Sequence, residues 1–366
     1  MMSQPDSSLP NALLGNDGAP VRTAAQWPAR RHEIRNTLLA LAYGALPPAP
    51  LQVSGVELHS AAVRHLQGAW LKSIRVKVDG QHAFVLRVWV PPGSGPFPVL
   101  LHGDGCWDYA TTEVTAAVLR RGYVFAQFNR VELASDLAGA GAVQSFNPVL
   151  GGAPCAALAA WAWGYHRAVD ALLQLDGTDP GRIAIVGHSR GGKSALLAGA
   201  TDERIALTSA NNSGAGGAGS FRVQGPGAET LVDVVGAFPH WFAPQLAQYS
   251  GREHELPFDQ HFLKALIAPR ALLTTEALGD QWANPWGTWR THLAAREVYA
   301  LLGVPERIAI AFREGGHEHN MADWSTLLDF CDTVFRCAPR AAMLDVNPFP
   351  HLPAALARGA ASRSVA

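Results

Sequence analysis

Five residues near the middle of the chain carry the first chemical signal: Gly187-His188-Ser189-Arg190-Gly191. They follow Arg182 and the apolar run Ile183-Ala184-Ile185-Val186, and open the helix-forming segment Gly192-Lys193-Ser194-Ala195-Leu196-Leu197-Ala198-Gly199. G-x-S-x-G alone is a weak pattern, but between a strand and a helix it marks a nucleophile elbow. The turn forces the serine into a strained conformation, so the residues two before and two after it must be small, as Gly187 and Gly191 are. Ser189 Oγ then stands above the sheet, and the next backbone N–H sits at a helix N-terminus, where an oxyanion can be held. An idle serine in a glycine-rich turn is the plain alternative; the strand and helix on either side argue against it.

A serine hydroxyl needs a base, and the base needs an orienting carboxylate. On this kind of scaffold the chain order is Ser, acid, His. After the last strand-like run comes Arg313-Glu314-Gly315-Gly316-His317-Glu318-His319. His317 leaves the Gly-Gly turn first and is the favoured base, with His319 as competitor; either is otherwise a surface loop histidine. The acid is sought in Thr275-Glu276-Ala277-Leu278-Gly279-Asp280-Gln281-Trp282, where Asp280 follows a glycine beyond the strand end and Glu276 is the alternative. A plain solvated carboxylate remains the other reading of each. Lys193, one helical turn after Ser189, puts a cation near a helix start, which the dipole disfavours; it suits an anionic or polyhydroxyl substrate better than a snorkelling surface role. Trp241, Trp282, Trp286 and Trp289, among eleven tryptophans, offer flat faces for sugars, although each alone is more often core.

The elements that must position these residues follow from the pattern. Residues 20–47 read as a helix ending at Tyr43-Gly44, with Arg30, Arg31, Glu33 and Arg35 on its wet side. Residues 70–78 and 82–90 are β-rich and joined by Asp79-Gly80, a hairpin turn. From Pro96 on, short apolar runs at 97–101, 123–128, 182–186, 205–208, 271–274 and 308–312 alternate with helical segments such as 156–175. Strands without alternation, spaced by helices, imply a mainly parallel sheet buried on both faces. The expected architecture is therefore α/β, an α/β-hydrolase fold with an insertion between its sixth and seventh strands. That insertion, residues 213–265, is too long for one crossover and reads as a lid for substrate recognition. The rest divides into an N-terminal extension (1–19), a single domain (20–340) and a C-terminal tail (341–366) whose alanine-rich end, 354–366, is expected to fray.

Composition bounds the partners. With 366 residues, 16% charged, 48% hydrophobic and a formal net charge of -1, nothing favours nucleic acid or an anionic membrane surface. There is no apolar run of about 18 residues, so no spanning helix is expected. The first 17 residues lack a charged start and an apolar core, which reads as a cytoplasmic chain or a processed mature form. Cys106, Cys155, Cys331 and Cys337 form no CxxC pair and read as buried free thiols. His254, His261, His317 and His319 lack metal-ligand spacing, so no metal is expected.

Ser189-Arg190-Gly191-Gly192-Lys193, Asn212-Ser213-Gly214-Ala215-Gly216-Gly217, Phe221-Arg222, Phe238-Pro239-His240-Trp241-Phe242, Leu256-Pro257-Phe258-Asp259-Gln260-His261 and Ala268-Pro269-Arg270 together resemble the glucuronoyl esterases, carbohydrate esterase family fifteen. The likeness runs from near residue 20 to 336. It implies a cofactor-free serine esterase of the bacterial type, acting on esters between glucuronic acid on xylan and lignin alcohols. It also implies that Arg190 donates its side chain to the oxyanion hole, that Lys193 binds the uronate sugar and that Trp282 packs on it. Three departures stand out. Many members carry a catalytic glutamate where this chain has Asn212, which points back to an acid after the seventh strand, Asp280. Cysteines that flank the serine and histidine in fungal members are His188 and Glu318 here, which are expected to pair electrostatically. The family's secreted members carry a signal peptide, whereas this chain shows none. Two other functions remain open: a general carboxylesterase or acetyl-sugar (acetylxylan-type) esterase, which would not need Lys193, and a carbohydrate-binding pseudoenzyme. The oligomeric state is not legible.

Overall fold

Asp79 and Gly80 adopt positive φ angles of 48° and 81°, the turn that the Asp-Gly pair predicts, and they join two long strands. A computed structural model of the protein describes residues 9–107, 109–137, 148–150 and 155–350. Its strands are β1 (Val53–Val63), β2 (Ala69–Val78), β3 (Gln81–Val90), β4 (Phe97–His102), β5 (Val124–Gln127), β6 (Thr178–His188), β7 (Leu207–Asn211), β8 (Ala271–Ala277) and β9 (Ile308–Arg313). They form one sheet in the order β1-β2-β3-β5-β4-β6-β7-β8-β9. Pairing is antiparallel from β1 to β5 and parallel from there to β9. This is the α/β-hydrolase arrangement, preceded by one extra strand.

The helices are α1 (Trp27–Leu38), α2 (Thr112–Arg120), α3 (Ala157–Leu172), α4 (Arg190–Thr201), α5 (Leu231–Ala237), α6 (Gln260–Ala265), α7 (Pro285–Leu301) and α8 (Met321–Arg336). They cover both faces of the parallel strands, and successive strand residues serve opposite cores. Val99, Leu101, Ile183 and Ile185 pack towards the α1, α3 and α4 side. Leu100, Ala184, Val186, Leu207 and Leu273 pack towards Trp324, Leu327 and Phe330 of α8. The buried apolar strands thus hold the elbow between them rigidly.

Three local readings change. β1 carries no apolar alternation in the sequence, because most of its residues are exposed and only its two ends are half-buried. Arg30 is not on the wet side of α1 but buried. Its Nε donates to Ala12 O and its Nη1 to Asn16 and Glu33, so two of its three partners come from the N-terminal segment, which the helix pattern does not show. Cys337, in a left-handed conformation after α8, is exposed; Cys155 and Cys331 are buried, Cys106 is half-buried, and all four are free.

The long segment between β7 and β8, the sixth and seventh strands if the extra β1 is set aside, packs closely on the body. Phe242, Leu246, Leu256, Phe258 and Phe262 join the main core. Asp259 ties the segment together by accepting hydrogen bonds from Ser220 Oγ and from the backbone N–H groups of Phe221, Arg222 and Gln260. After α8 the chain returns, and Asp345 exchanges hydrogen bonds with the backbone of Ile310 in β9. Residues 1–8 of the extension and the alanine-rich end, 354–366, lie outside the described residues.

Candidate active site

Ser189 leaves β6 with φ 54° and ψ −123°, the strained turn between strand and helix that the elbow requires. The glycines are obligatory. A methyl group on Gly187 would run into the backbone carbonyl of Gly191, and one on Gly191 would run into the Asp104 carboxylate. Asp104 also accepts from the His188 backbone N–H at 2.9 Å and is paired with the buried Arg130 guanidinium. A buried ion pair thereby holds the elbow from behind.

The loops after β8 and β9 bring the acid and the base to this turn. His317 Nε2 lies 3.0 Å from Ser189 Oγ, and His317 Nδ1 lies 2.5 Å from Asp280 Oδ2. Asp280 is buried, and the His317 side chain is 48% exposed at the rim. Gly279 makes the close approach possible: its N–H donates to Gly315 O, which stitches the two loops together. A hydroxyl, an imidazole and a carboxylate at these distances can abstract the serine proton and stabilise the imidazolium that forms.

The competitors lie elsewhere. His319 is buried, stacked on Trp324 at 4.6 Å between ring centres, and burial holds its pKa well below the ordinary histidine value. Glu276 is fully buried on β8; neither carboxylate oxygen finds a hydrogen-bond partner among the described residues, and burial raises its pKa well above the usual range. The expected pairing of His188 with Glu318 is not formed. His188 Nδ1 meets Asn211 Oδ1 at 2.5 Å, while the exposed Glu318 pairs with Arg313 at 3.2 Å. Burial, with the nearby His317 ring, brings the His188 pKa down to about 3, so the ring carries no charge to offer Glu318. It packs instead against Tyr109, His317 and His319.

Beside the serine opens a pocket of 140 Å³ whose walls include Arg190, Lys193, Asn212, Glu229, Trp241 and Trp282. Lys193 is buried, 3.2 Å from Glu229 Oε2, and also donates to Ala215 O. Burial lowers its pKa and the Glu229 charge opposes that fall. Trp282 stands at the rim, 53% exposed. Trp241 is buried and stacked on Phe238 at 3.9 Å. Trp286 and Trp289 pack away from the pocket, on Phe349 and on His292 and Phe312. Asn212 lines the pocket, but its Oδ1 accepts from the Ala277 N–H at 2.8 Å, so it serves the strand ends.

Glu229, Asp104 and Asp136, the partner of Arg190, were not singled out from sequence. Glu229 follows a Gly-Pro-Gly-Ala turn and precedes Thr230, which caps α5; this marks a turn and not an ion pair. Asp104 lies in His102-Gly103-Asp104-Gly105, which reads only as a loop. Among the described residues no cluster of three or more His, Cys, Asp or Glu has a metal-holding arrangement, and no helix is long and apolar enough to cross a membrane.

Fold and site together define a carboxylic ester hydrolase of the serine type. The family model of fungal glucuronyl esterases matches residues 74–303, and the chain belongs to the glucuronoyl esterase family. It is 32% identical over 326 residues to the 4-O-methyl-glucuronoyl methylesterase 1 of Phanerochaete chrysosporium, covering 86% of this chain and 66% of that protein. It resembles the carbohydrate esterase family 15 glucuronoyl esterase of Caldicellulosiruptor kristjansonii with a TM-score of 0.79 at 30% identity, over 93% of this chain and 95% of that one. A glucuronoyl esterase variant of Sporotrichum thermophile, in complex with methyl 4-O-methyl-β-D-glucopyranuronate, matches with a TM-score of 0.79 at 26% identity, over 94% and 92% of the two chains.

Proposed function

We propose that this chain hydrolyses esters of a 4-O-methylglucuronoyl-type uronic acid through an acyl-enzyme on Ser189. Ser189 Oγ attacks the ester carbonyl carbon as His317 Nε2 takes its proton, and Asp280 stabilises the imidazolium. The oxyanion is held by Arg190, through its backbone N–H, which has no intrahelical acceptor at the start of α4, and through its guanidinium. Collapse breaks the bond to the alcohol oxygen, which takes the proton from His317. A water then gives a proton to His317 and attacks the acyl-enzyme, releasing the uronic acid and restoring Ser189.

The observation that carries the substrate reading is the buried Lys193–Glu229 pair in the serine pocket. A donor and an acceptor 3.2 Å apart match adjacent sugar hydroxyls, and the exposed Trp282 face suits the apolar side of the ring. A simple acetyl group would use neither. The ligand of the Sporotrichum enzyme, a methyl ester of a 4-O-methylated uronic acid, has these features. The pocket is small and His317 lies at its open rim, so the alcohol half points towards solvent.

The test compares kcat/KM on methyl 4-O-methylglucuronate and on p-nitrophenyl acetate for wild type and for a Lys193→Met/Glu229→Gln double variant, which leaves no unpaired buried charge. A loss confined to the uronate is expected. An equal loss on both esters would overturn the substrate assignment.

A further inference from the structure

Arg190 is awkwardly placed for a cation. It is the first residue of α4, where the helix dipole disfavours positive charge, and its side chain is 31% exposed on a flexible stem. Three aromatic rings confine it, those of Trp241, Phe238 and Trp107, with the guanidinium carbon 4.9, 5.1 and 5.8 Å from their centres. Rings confine a guanidinium without setting its rotation. What sets it is Nη1, which donates to Asp136 Oδ2 at 2.9 Å; the other guanidinium N–H groups make no hydrogen bond among the described residues.

Asp136 is itself held fast. Its Oδ1 accepts from Trp241 Nε1 at 2.7 Å and meets His240 Nε2 at 3.3 Å, and its side chain is 8% exposed. Burial acts to raise its pKa, but the contacts with His240, Trp241 and Arg190 outweigh that and keep the carboxyl below the ordinary aspartate range. Trp241 and His240 belong to the segment between β7 and β8, so one carboxylate joins that segment to the residue after the nucleophile.

We propose that Asp136 is a positioning residue for catalysis: it fixes the guanidinium of Arg190 by one edge, leaving the remaining donors for the oxyanion in the pocket that Arg190 shares with Ser189. The inference rests on the reading of Arg190 as an oxyanion donor. A guanidinium that has already lost its rotational freedom stabilises developing charge without reorganising, which is where preorganised donors gain their effect. Asp136 touches neither substrate nor reacting atoms in this account, so its signature belongs in kcat and should vanish when Arg190 is absent.

The experiment is a double-mutant cycle on the uronate methyl ester. Removing an oxyanion donor costs roughly 10²–10³ in kcat, so Arg190→Ala should lose about that much, and Asp136→Asn about 10–100-fold with KM little changed. In the Arg190→Ala background, Asp136→Asn should cost nothing more, and Asp136→Glu should recover part of the loss. Trp241→Phe, which keeps the ring and removes one donor to Asp136, should show a smaller loss of the same kind even if Asp136→Asn folds poorly. If Asp136→Asn costs the same factor with and without Arg190, the carboxylate acts through the fold and the proposal is overturned. An unchanged kcat in Asp136→Asn beside a large loss in Arg190→Ala overturns it as well. If Arg190→Ala itself loses nothing, the oxyanion role of Arg190 fails first, an outcome distinct from the other two.

Discussion

Two carboxylates near the end of β8, Asp280 and Glu276, compete for the role of triad acid, and Asn212 stands where many relatives carry a glutamate. In Asp280→Asn the buried amide still faces His317 Nδ1 across the present 2.5 Å. If it presents its NH2 group, the imidazole must accept at Nδ1 and carry its proton on Nε2. That proton then points at Ser189 Oγ, 3.0 Å away, and the base becomes a donor to the hydroxyl it should deprotonate. If the amide presents its oxygen, the tautomer is right but the charge that stabilises the imidazolium is missing. A wrong tautomer in such a triad lowers kcat by about 10⁴, equivalent to about 5.5 kcal/mol at the transition state. The assay is kcat on methyl 4-O-methylglucuronate beside the rate at which a fluorophosphonate labels Ser189, since labelling reports nucleophile activation independently of sugar binding. Both rates should fall together in Asp280→Asn, whereas Glu276→Gln and Asn212→Ala should stay close to wild type. Activity within tenfold of wild type in Asp280→Asn, joined to a loss of about 10³ in either of the other two, would refute the reasoning and move the acid.

The other predictions concern the residues around that triad. Lys193→Met alone leaves Glu229 as an unpaired buried carboxylate and should destabilise by about 3–5 kcal/mol, while Lys193→Met/Glu229→Gln should regain most of that stability in urea unfolding without regaining uronate activity. The raised folded pKa of Glu276 means that its contribution to stability is complete below the ordinary glutamate range and is lost as pH rises towards the folded value. Melting temperatures followed upward from pH 4 should therefore decline less steeply in Glu276→Gln than in wild type, and an unaltered slope would count against a raised pKa. His319→Phe keeps a ring against Trp324 and should stay within a few-fold of wild-type kcat, whereas His317→Gln should lose Ser189 labelling.

What was legible in the sequence is what local geometry dictates. Gly187 and Gly191 are required by a turn that any reader of the pattern can reconstruct, and the apolar runs at 97–101 and 182–186 state by themselves that both faces of the sheet are covered. The two-glycine exit before His317 and the glycine before Asp280 belong to the same kind: their close approach shows as Gly279 N–H donating to Gly315 O. The edge strand β1 carries no readable period because most of its residues are exposed and the half-buried ones, Val53, Ser54, Ala61 and Val63, sit only at its two ends.

The misplaced charges share a different cause. Arg30 looked wet because helical periodicity assigns faces without knowing that the segment around Ala12 and Asn16 folds back over one of them. His188 and Glu318 looked complementary because formal charge was read off residue type; burial among Tyr109, His317 and His319 removes the charge from one, and Arg313 takes the other. Glu229 and Asp136 carry no signal in the sequence for the converse reason. Their partners, Lys193 and Arg190, lie 36 and 54 residues away along the chain, and a carboxylate earns no special spacing by answering a cation across a pocket. The triad side chains are therefore announced by the turns that present them, while the ion pairs around them are set by packing between segments far apart in the chain. The Lys193–Glu229 pair forms because the segment between β7 and β8 brings Glu229 beside α4, where both side chains are largely buried, and periodicity along one element cannot encode that meeting.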